Sequence, residues 1–407
     1  MRQFMARGFL VCGFVVFLTL SPSPAQAQIS GQKVKIGVLT DLAGPYEQNS
    51  GAGSVEAAKM AAEEFGNKIN GAPIEIVSAD HQNKPDVGAS IARHWFDLDG
   101  VDAVTDLVNS GVAFAVLEIA KSNNKAVLLT SPGSADFTGK ACAPNNSVHW
   151  VYDTYQMGAA IGQSLPQLGN KWFFITADYV FGRALQDGAT TFIEKNGGKI
   201  LGSVRHPLGT TDFSSYMLQA QASGADVIGI ANGGDDAINA VKSAREFNVT
   251  AKQKVVPFGL DSLPAVRSAS LQLAQGMMYV SPWLPDLDDA SKAFFAKFLE
   301  RRKVAPSTFQ VGTYSAVRAY LKAVEATNSD DPKTVIAKMR ETPVKDAFTS
   351  NGRLRADGRM VHDVYVVQIK SPAESQGEWD LLKLVAALPG DQVFRPLAAG
   401  GCPGVSP

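Results

Sequence analysis

The sequence predicts an α/β protein made of two doubly wound, Rossmann-like lobes joined by crossover hinge strands. Apolar runs of strand length alternate with segments of helical period along almost the whole chain, the signature of βαβ units around parallel sheets. The alternation starts afresh near residue 150, so a second sheet follows the first. The 407 residues also exceed what one core of about 250–300 residues usually serves.

Residues 1–27 are set aside before the elements are taken in order. Arg2 and Arg7 precede the apolar run 8–20, Ser21-Pro22-Ser23-Pro24 ends it, and Ala25-Gln26-Ala27 forms a small-x-small cleavage site. Together these read as a secretory signal peptide, with an apolar core shorter than the roughly 20 residues of a spanning helix. No Arg-Arg pair points to twin-arginine export, and Cys12 lies inside the apolar run rather than at its end, where a lipid anchor would be attached. The expected mature chain starts at Gln28.

Losing Arg2 and Arg7 takes the balance from 38 basic against 39 acidic residues to 36 against 39, a formal charge of −3. Such a surface argues against nucleic acid or an anionic membrane as a partner. Two cysteines remain, Cys142 and Cys402. In an oxidising compartment an even pair reads as a disulfide, here tying the tail to the middle of the chain; the alternative is two buried thiols.

The first lobe opens with the strand 34–39, followed by strands at 74–77, 103–108 and 126–129 and by amphipathic stretches at 57–65, 87–96 and 112–122. The second series has strands at 172–176, 200–204, 227–231 and 255–258, separated by helices near 184–195, 214–222 and 237–247. Crossovers are expected at 150–153 and 281–285, with helices 292–302 and 311–326 resuming in lobe 1. The strand-like 364–369, after the turn Asn351-Gly352, suggests a third passage. The expected division is 28–150 with 284–345 for lobe 1, 151–283 with 346–392 for lobe 2, and a tail, 393–407, tied back by the disulfide.

Catalytic and cofactor motifs are sparse. Gly51-Ala52-Gly53 lacks the third glycine of the dinucleotide fingerprint, since Glu56 stands in its place, and about ten residues separate it from the strand. Ser122-Asn123-Asn124-Lys125 matches S-x-x-K without its companion motifs. There is no G-x-S-x-G or H-E-x-x-H, and the five histidines are scattered. Neither cofactor nor metal is expected. Asp80-His81-Gln82-Asn83 reads as a solvated strand-end loop.

The strand ends instead carry small, hydroxyl and amide residues. Asn109-Ser110-Gly111 and Thr130-Ser131-Pro132-Gly133-Ser134 lead from adjacent strands toward helix N-termini, whose N–H groups and hydroxyls suit a carboxylate. Open parallel sheets bind ligands at such ends. From the second lobe, Asp178-Tyr179-Val180-Phe181-Gly182, Asn232-Gly233-Gly234-Asp235 and Gly259-Leu260-Asp261 hold equivalent positions and add aromatic faces and carboxylates. Each loop alone reads equally well as a helix cap; repetition in both lobes favours binding.

These residues resemble the type I periplasmic solute-binding proteins of ABC importers, in the leucine/isoleucine/valine-binding family. The likeness covers nearly all of the mature chain. It runs from I-G-x-x-x-x-L-x-G-P-Y over 36–46 through Thr130-Ser131-Pro132, Asp178-Tyr179 with Phe181-Gly182, and Thr211-Asp212-Phe213-Ser214. It implies a periplasmic, monomeric receptor, not an enzyme, that captures a small solute between its lobes and passes it to an inner-membrane ABC permease.

It also implies site residues. Tyr46 borders the cleft; Asn109, Ser110, Gly133 and Ser134 bind a ligand carboxylate; Phe181 stands where amino-acid binders usually place a tyrosine, with Tyr179 beside it; Asp261 falls near the acid that takes an ammonium; Asn232 lines the same lobe. Tyr152 and Trp283 complete the aromatic candidates. Gly133-Ser134 lacks the usual following threonine, and Asn232-Gly233-Gly234 lacks the usual aromatic. The sequence also resembles the aromatic-acid branch of the family, so both ligand classes stay open. So do two other roles on this scaffold, a periplasmic sensor and an exported enzyme.

Overall fold

The computed structural model describes residues 29–406 together with Met1. The expected signal peptide, beyond Met1, lies outside the described residues. The first lobe is laid down by β1 (Val34–Thr40), α1 (Gly51–Glu63), β2 (Lys68–Ile69), β3 (Ala72–Asp80), α2 (Pro85–His94), β4 (Ala103–Asp106), α3 (Ser110–Ser122), β5 (Ala126–Leu129) and β6 (Ser147–His149). Its sheet has the order β2-β3-β1-β4-β5-β6, parallel except for the short β2–β3 hairpin. β1 sits between two neighbours and under helices, and all of its residues but Lys35 are buried. That double coverage explains its almost unbroken apolar sequence.

The second lobe follows with α4 (Thr154–Leu168), β7 (Lys171–Ala177), α5 (Val180–Lys195), β8 (Lys199–His206), α6 (Ser214–Ala222), β9 (Val227–Gly233), α7 (Gly234–Glu246), β10 (Lys254–Gly259), α8 (Leu263–Ala269), α9 (Leu271–Ala274) and β11 (Met278–Ser281). Its parallel sheet has only four strands, β10-β9-β7-β8. The chain then runs through α10 (Asp289–Arg302), α11 (Thr308–Thr327), α12 (Pro332–Glu341), the short pair β12 (Arg353–Leu354) and β13 (Met360–Val361), β14 (Val364–Ile369), β15 (Leu382–Leu388) and α13 (Gly390–Val393). β14 lies between β11 and β15 in a separate antiparallel sheet. The second lobe is therefore a parallel sheet with an antiparallel annex, not a copy of the first.

Local boundaries depart from the sequence reading where the backbone turns sharply. The strand expected over 103–108 stops at Asp106, because Asp106 and Leu107 both take positive φ, 78° and 61°, lifting the chain out of the sheet so that Asn109 can cap α3. α1 begins at Gly51 rather than 57, so the Gly-rich segment forms its first turn. Helix α4 had no counterpart in the sequence reading. The expected solvated loop at 80–83 is only partly so: His81 is fully buried, and desolvation lowers its pKa to about 4.

The connections between the lobes are clamped together. His362 Nε2 lies 2.6 Å from the carbonyl of Val151, and Arg359 donates from Nη1 to the carbonyl of Tyr152 at 3.0 Å and to Asp153 at 3.4 Å. A backbone bridge joins His149 to Arg359. Cys142, between β5 and β6, is disulfide-bonded to Cys402, so the tail is fastened to the first lobe.

Candidate functional site

The loop after β1 is shaped by one carboxylate. Asp41 Oδ1 accepts from Gly44 N–H at 2.8 Å, while Oδ2 accepts from Tyr46 N–H at 2.9 Å and from Asn83 Nδ2 at 2.8 Å. α11 grips the far end of this loop through its capping box: Ser307 Oγ donates to Asn49 O at 2.5 Å, and Gln310 Nε2 donates to Gln48 O at 3.2 Å and Ser50 O at 2.9 Å. Tyr46 is thereby turned toward the second lobe, where its hydroxyl hydrogen-bonds to that of Tyr179. The backbone follows, Asp235 N–H donating to Pro45 O at 2.9 Å.

On the first lobe, the predicted residues form one cluster. Asn109 Oδ1 caps α3, accepting from Gly111 N–H at 2.9 Å and Val112 N–H at 3.3 Å, which leaves its amide nitrogen for any solute. Ser110 Oγ accepts from Ser134 N–H at 3.3 Å, drawing the β4 and β5 loops together. Beneath them Asp106 Oδ1 accepts from Ser50 Oγ at 2.6 Å and from Ser131 Oγ. Burial raises the pKa of this carboxyl, and the surrounding hydroxyls oppose the rise. Tyr152 donates to Ser131 O at 3.2 Å, stacks on Phe309 at 5.2 Å and meets Phe181 edge-on at 6.2 Å. Gly133 faces this pair so closely that a Cβ there would stand 2.6 Å from Phe181 and 2.8 Å from Tyr152.

The second lobe contributes carboxylates. Asp261 is buried, receives a long bond from Asn49 Nδ2 at 3.4 Å, and is pushed by desolvation to a pKa of about 7. Asn232, fully buried at the end of β9, donates to His206 Nε2 at 3.1 Å. Gly233 and Gly234 lie against the Tyr46 loop; Gly234 has φ +58°, and a Cβ there would fall 2.2 Å from Pro45 O. The two lobes thus meet in a closed cleft with aromatic walls and polar groups supplied from both sides.

A family model described as periplasmic binding protein matches residues 33–377. The chain belongs to the periplasmic binding protein family. A Burkholderia mallei periplasmic binding protein is similar over 91% of this chain and 99% of its own, with 40% identity and a TM-score of 0.88. A branched chain amino acid ABC transporter periplasmic ligand-binding protein of Burkholderia xenovorans is 39% identical over the same shares, with a TM-score of 0.81. Among curated relatives, a Leu/Ile/Val-binding protein homolog of Brucella abortus is 27% identical over 212 residues, 51% of this chain. The match spans 52%, about half, of that relative's length.

Within this binding protein, Tyr46, Tyr152, Tyr179, Phe181, Asn109, Ser110, Gly133, Ser134, Asn232 and Asp261 all fall at or beside the junction of the two lobes. Trp283 lies in the expected crossover at 281–285, where its ring is buried and its Nε1 donates to Ala347 O at 2.7 Å. Sequence reasoning missed Asp236, in the first turn of α7, which is buried and driven by desolvation to a pKa of about 7. An N-terminal acid on a helix reads as a dipole partner, and nothing in the sequence says that α7 starts against Tyr46. Asn49, which donates to Asp261 and accepts from Ser262 Oγ at 3.2 Å, was missed for the same reason. Among the described residues no helix is long and apolar enough to cross a membrane, and no group of three or more His, Cys, Asp or Glu is placed to hold a metal.

Proposed function

We propose that this protein is the solute receptor of an ABC importer, capturing a small carboxylate-bearing solute between its lobes and delivering it to a membrane permease. The observation that carries this is the meeting of strand-end groups from both lobes, Tyr46 with Tyr179 and the Gly133 backbone with Phe181. Ligand contacts divided between two bodies favour the closed state, because only there are both sets made. This is hinge closure around a ligand, for which periplasmic binding proteins are the standing example. With lobe 1 taken as 28–150 and 284–345, and lobe 2 as 151–283 and 346–392, closure turns about the clamped connections near Tyr152, Ser281 and Arg359.

The solute's carboxylate is assigned to Ser110 Oγ–H, the amide of Asn109 and the backbone around Gly133 and Ser134. Tyr152, Phe181 and Tyr179 supply an apolar body with few fixed polar groups, which suits orientation and selectivity in a small-molecule site. The test is a thermal-shift screen of the mature protein against amino acids, aromatic acids and short-chain carboxylates. A solute at about 100 times its Kd should stabilise by about 2.7 kcal/mol. The same solute should contract the protein in solution scattering; an unchanged radius on binding would refute closure.

A further inference from the structure

Two acceptor atoms on the lobe-2 wall have no donor. Asn232 Oδ1 and Asp236 Oδ1 are fully buried and unpartnered. The orientation of Asn232 follows from its neighbour. His206 Nδ1 lies 2.9 Å from Pro207 O, so the ring proton sits on Nδ1, Nε2 accepts from Asn232 Nδ2, and the amide oxygen faces away from the ring. Burial lowers the pKa of His206, keeping it neutral. Asp236 Oδ2 is taken by Gly209 N–H at 3.1 Å. The other groups facing this carboxyl are the backbone N–H of Thr210, His206 Nδ1 at 3.9 Å, the neighbouring carboxyl of Asp235, and the hydroxyls of Tyr46 and Tyr179; no Lys or Arg among the described residues pairs with it.

Asp236 and Asp261 stand at separate strand ends of this wall. Asp236 lies in the first turn of α7, after β9, where Asp235 N–H donates to Pro45 O at 2.9 Å, whereas Asp261 follows β10 and receives Asn49 Nδ2 at 3.4 Å. Asp236 is therefore an acceptor separate from Asp261.

We propose that Asp236 and Asn232 form an acceptor pair for a second cation on the solute, a distal primary amine, so that the preferred solute class is the dibasic amino acids. A primary ammonium brings three donors and a charge, satisfying both orphan oxygens at once. This rests on the solute-receptor reading above.

The test is calorimetric titration of the mature protein with L-lysine, with L-norleucine, which has the same carbon chain without the distal amine, and with benzoate. Lysine should bind at least about tenfold more tightly than norleucine, the difference expected of a charge-assisted pair. Asp236→Asn should reduce that preference to roughly twofold. In the unaltered protein the lysine preference should also grow between pH 6 and 8, as Asp236 ionises, which needs no variant. Binding of norleucine or benzoate without lysine overturns the proposal and spares the receptor reading, as does a preference that survives in Asp236→Asn. Silence toward all three also overturns the proposal, and the receptor reading is then decided by the wider thermal-shift screen.

Discussion

The two walls of the cleft differ in kind. The lobe-1 wall offers hydroxyls and backbone N–H groups, and its two buried strand-end carboxylates are both engaged, Asp41 by Gly44, Tyr46 and Asn83 and Asp106 by Ser50 and Ser131. The lobe-2 wall offers carboxylates, Asp236 and Asp261, with few donors turned toward them. On the proposed reading, lobe 1 would receive negative charge and lobe 2 positive charge. Closing them together without a solute would leave buried acceptors unpaired, at a cost of about 1–3 kcal/mol for each. A solute of the proposed class, charged at both ends, would remove that cost and so couple binding to closure.

The largest test of this contrast separates the lobes by stability. The disulfide between Cys142 and Cys402 is anchored in the first lobe and closes a span of 260 positions that includes the second, so Cys402→Ser should cost about 2–5 kcal/mol in chemical denaturation. Hydrogen exchange should quicken around 135–149 and remain slow in the lobe-2 sheet. Equal loosening of both would mean that the lobes do not differ in this way.

Next is the acidity of the lobe-2 wall. Desolvation holds Asp261 at a pKa of about 7 when folded, against about 3.9 when unfolded, so between these values the folded protein binds the additional proton. Stability from this group is therefore present below pH 4 and lost as pH rises through 7. Asp261→Asn should gain stability over the unaltered protein from pH 5 to pH 8, by a few kcal/mol at most, in paired thermal melts. A difference independent of pH would place the titration elsewhere.

Closure itself is broken at Gly234. A valine there would meet Pro45 O across the cleft in a left-handed backbone conformation. Overpacking of roughly 1–3 kcal/mol translates to about a 5- to 150-fold loss of solute affinity in calorimetry. Scattering should show the variant remaining extended with solute present.

The smallest effect belongs to the lobe-1 hydroxyls. Ser110→Ala and Ser134→Ala should each weaken a carboxylate solute by about 0.5–1.5 kcal/mol with the fold intact by circular dichroism. Unchanged affinity in both would remove the carboxylate from this wall.

Much of this was legible in the sequence for identifiable reasons. β1, β5 and β9 are buried runs whose apolar residues announce themselves, and α6 and β14 fall where their periods put them. Asn109 and Ser134 were recognisable as strand-end polar residues, although their side chains prove to be engaged in capping. The boundary at Asp106 was missed because positive φ at an Asp-Leu pair has no reliable sequence signal. That Trp283 directs its indole N–H to Ala347 O was not legible, because an aromatic residue looks the same in sequence whether its ring faces a cleft or a core.

The sequence by itself determined the succession of two sheets, the cysteine pair and the polar strand ends, because period, count and residue type are local properties of the chain. Only the tertiary structure decided which strand ends face one another. Tyr46 and Tyr179 stand 133 positions apart, Asp236 is set against the Tyr46 loop by the start of α7, and Asn49 reaches Asp261 across the junction. Those encounters depend on how two folded lobes are hinged together, and they alone bring scattered caps and carboxylates to one junction.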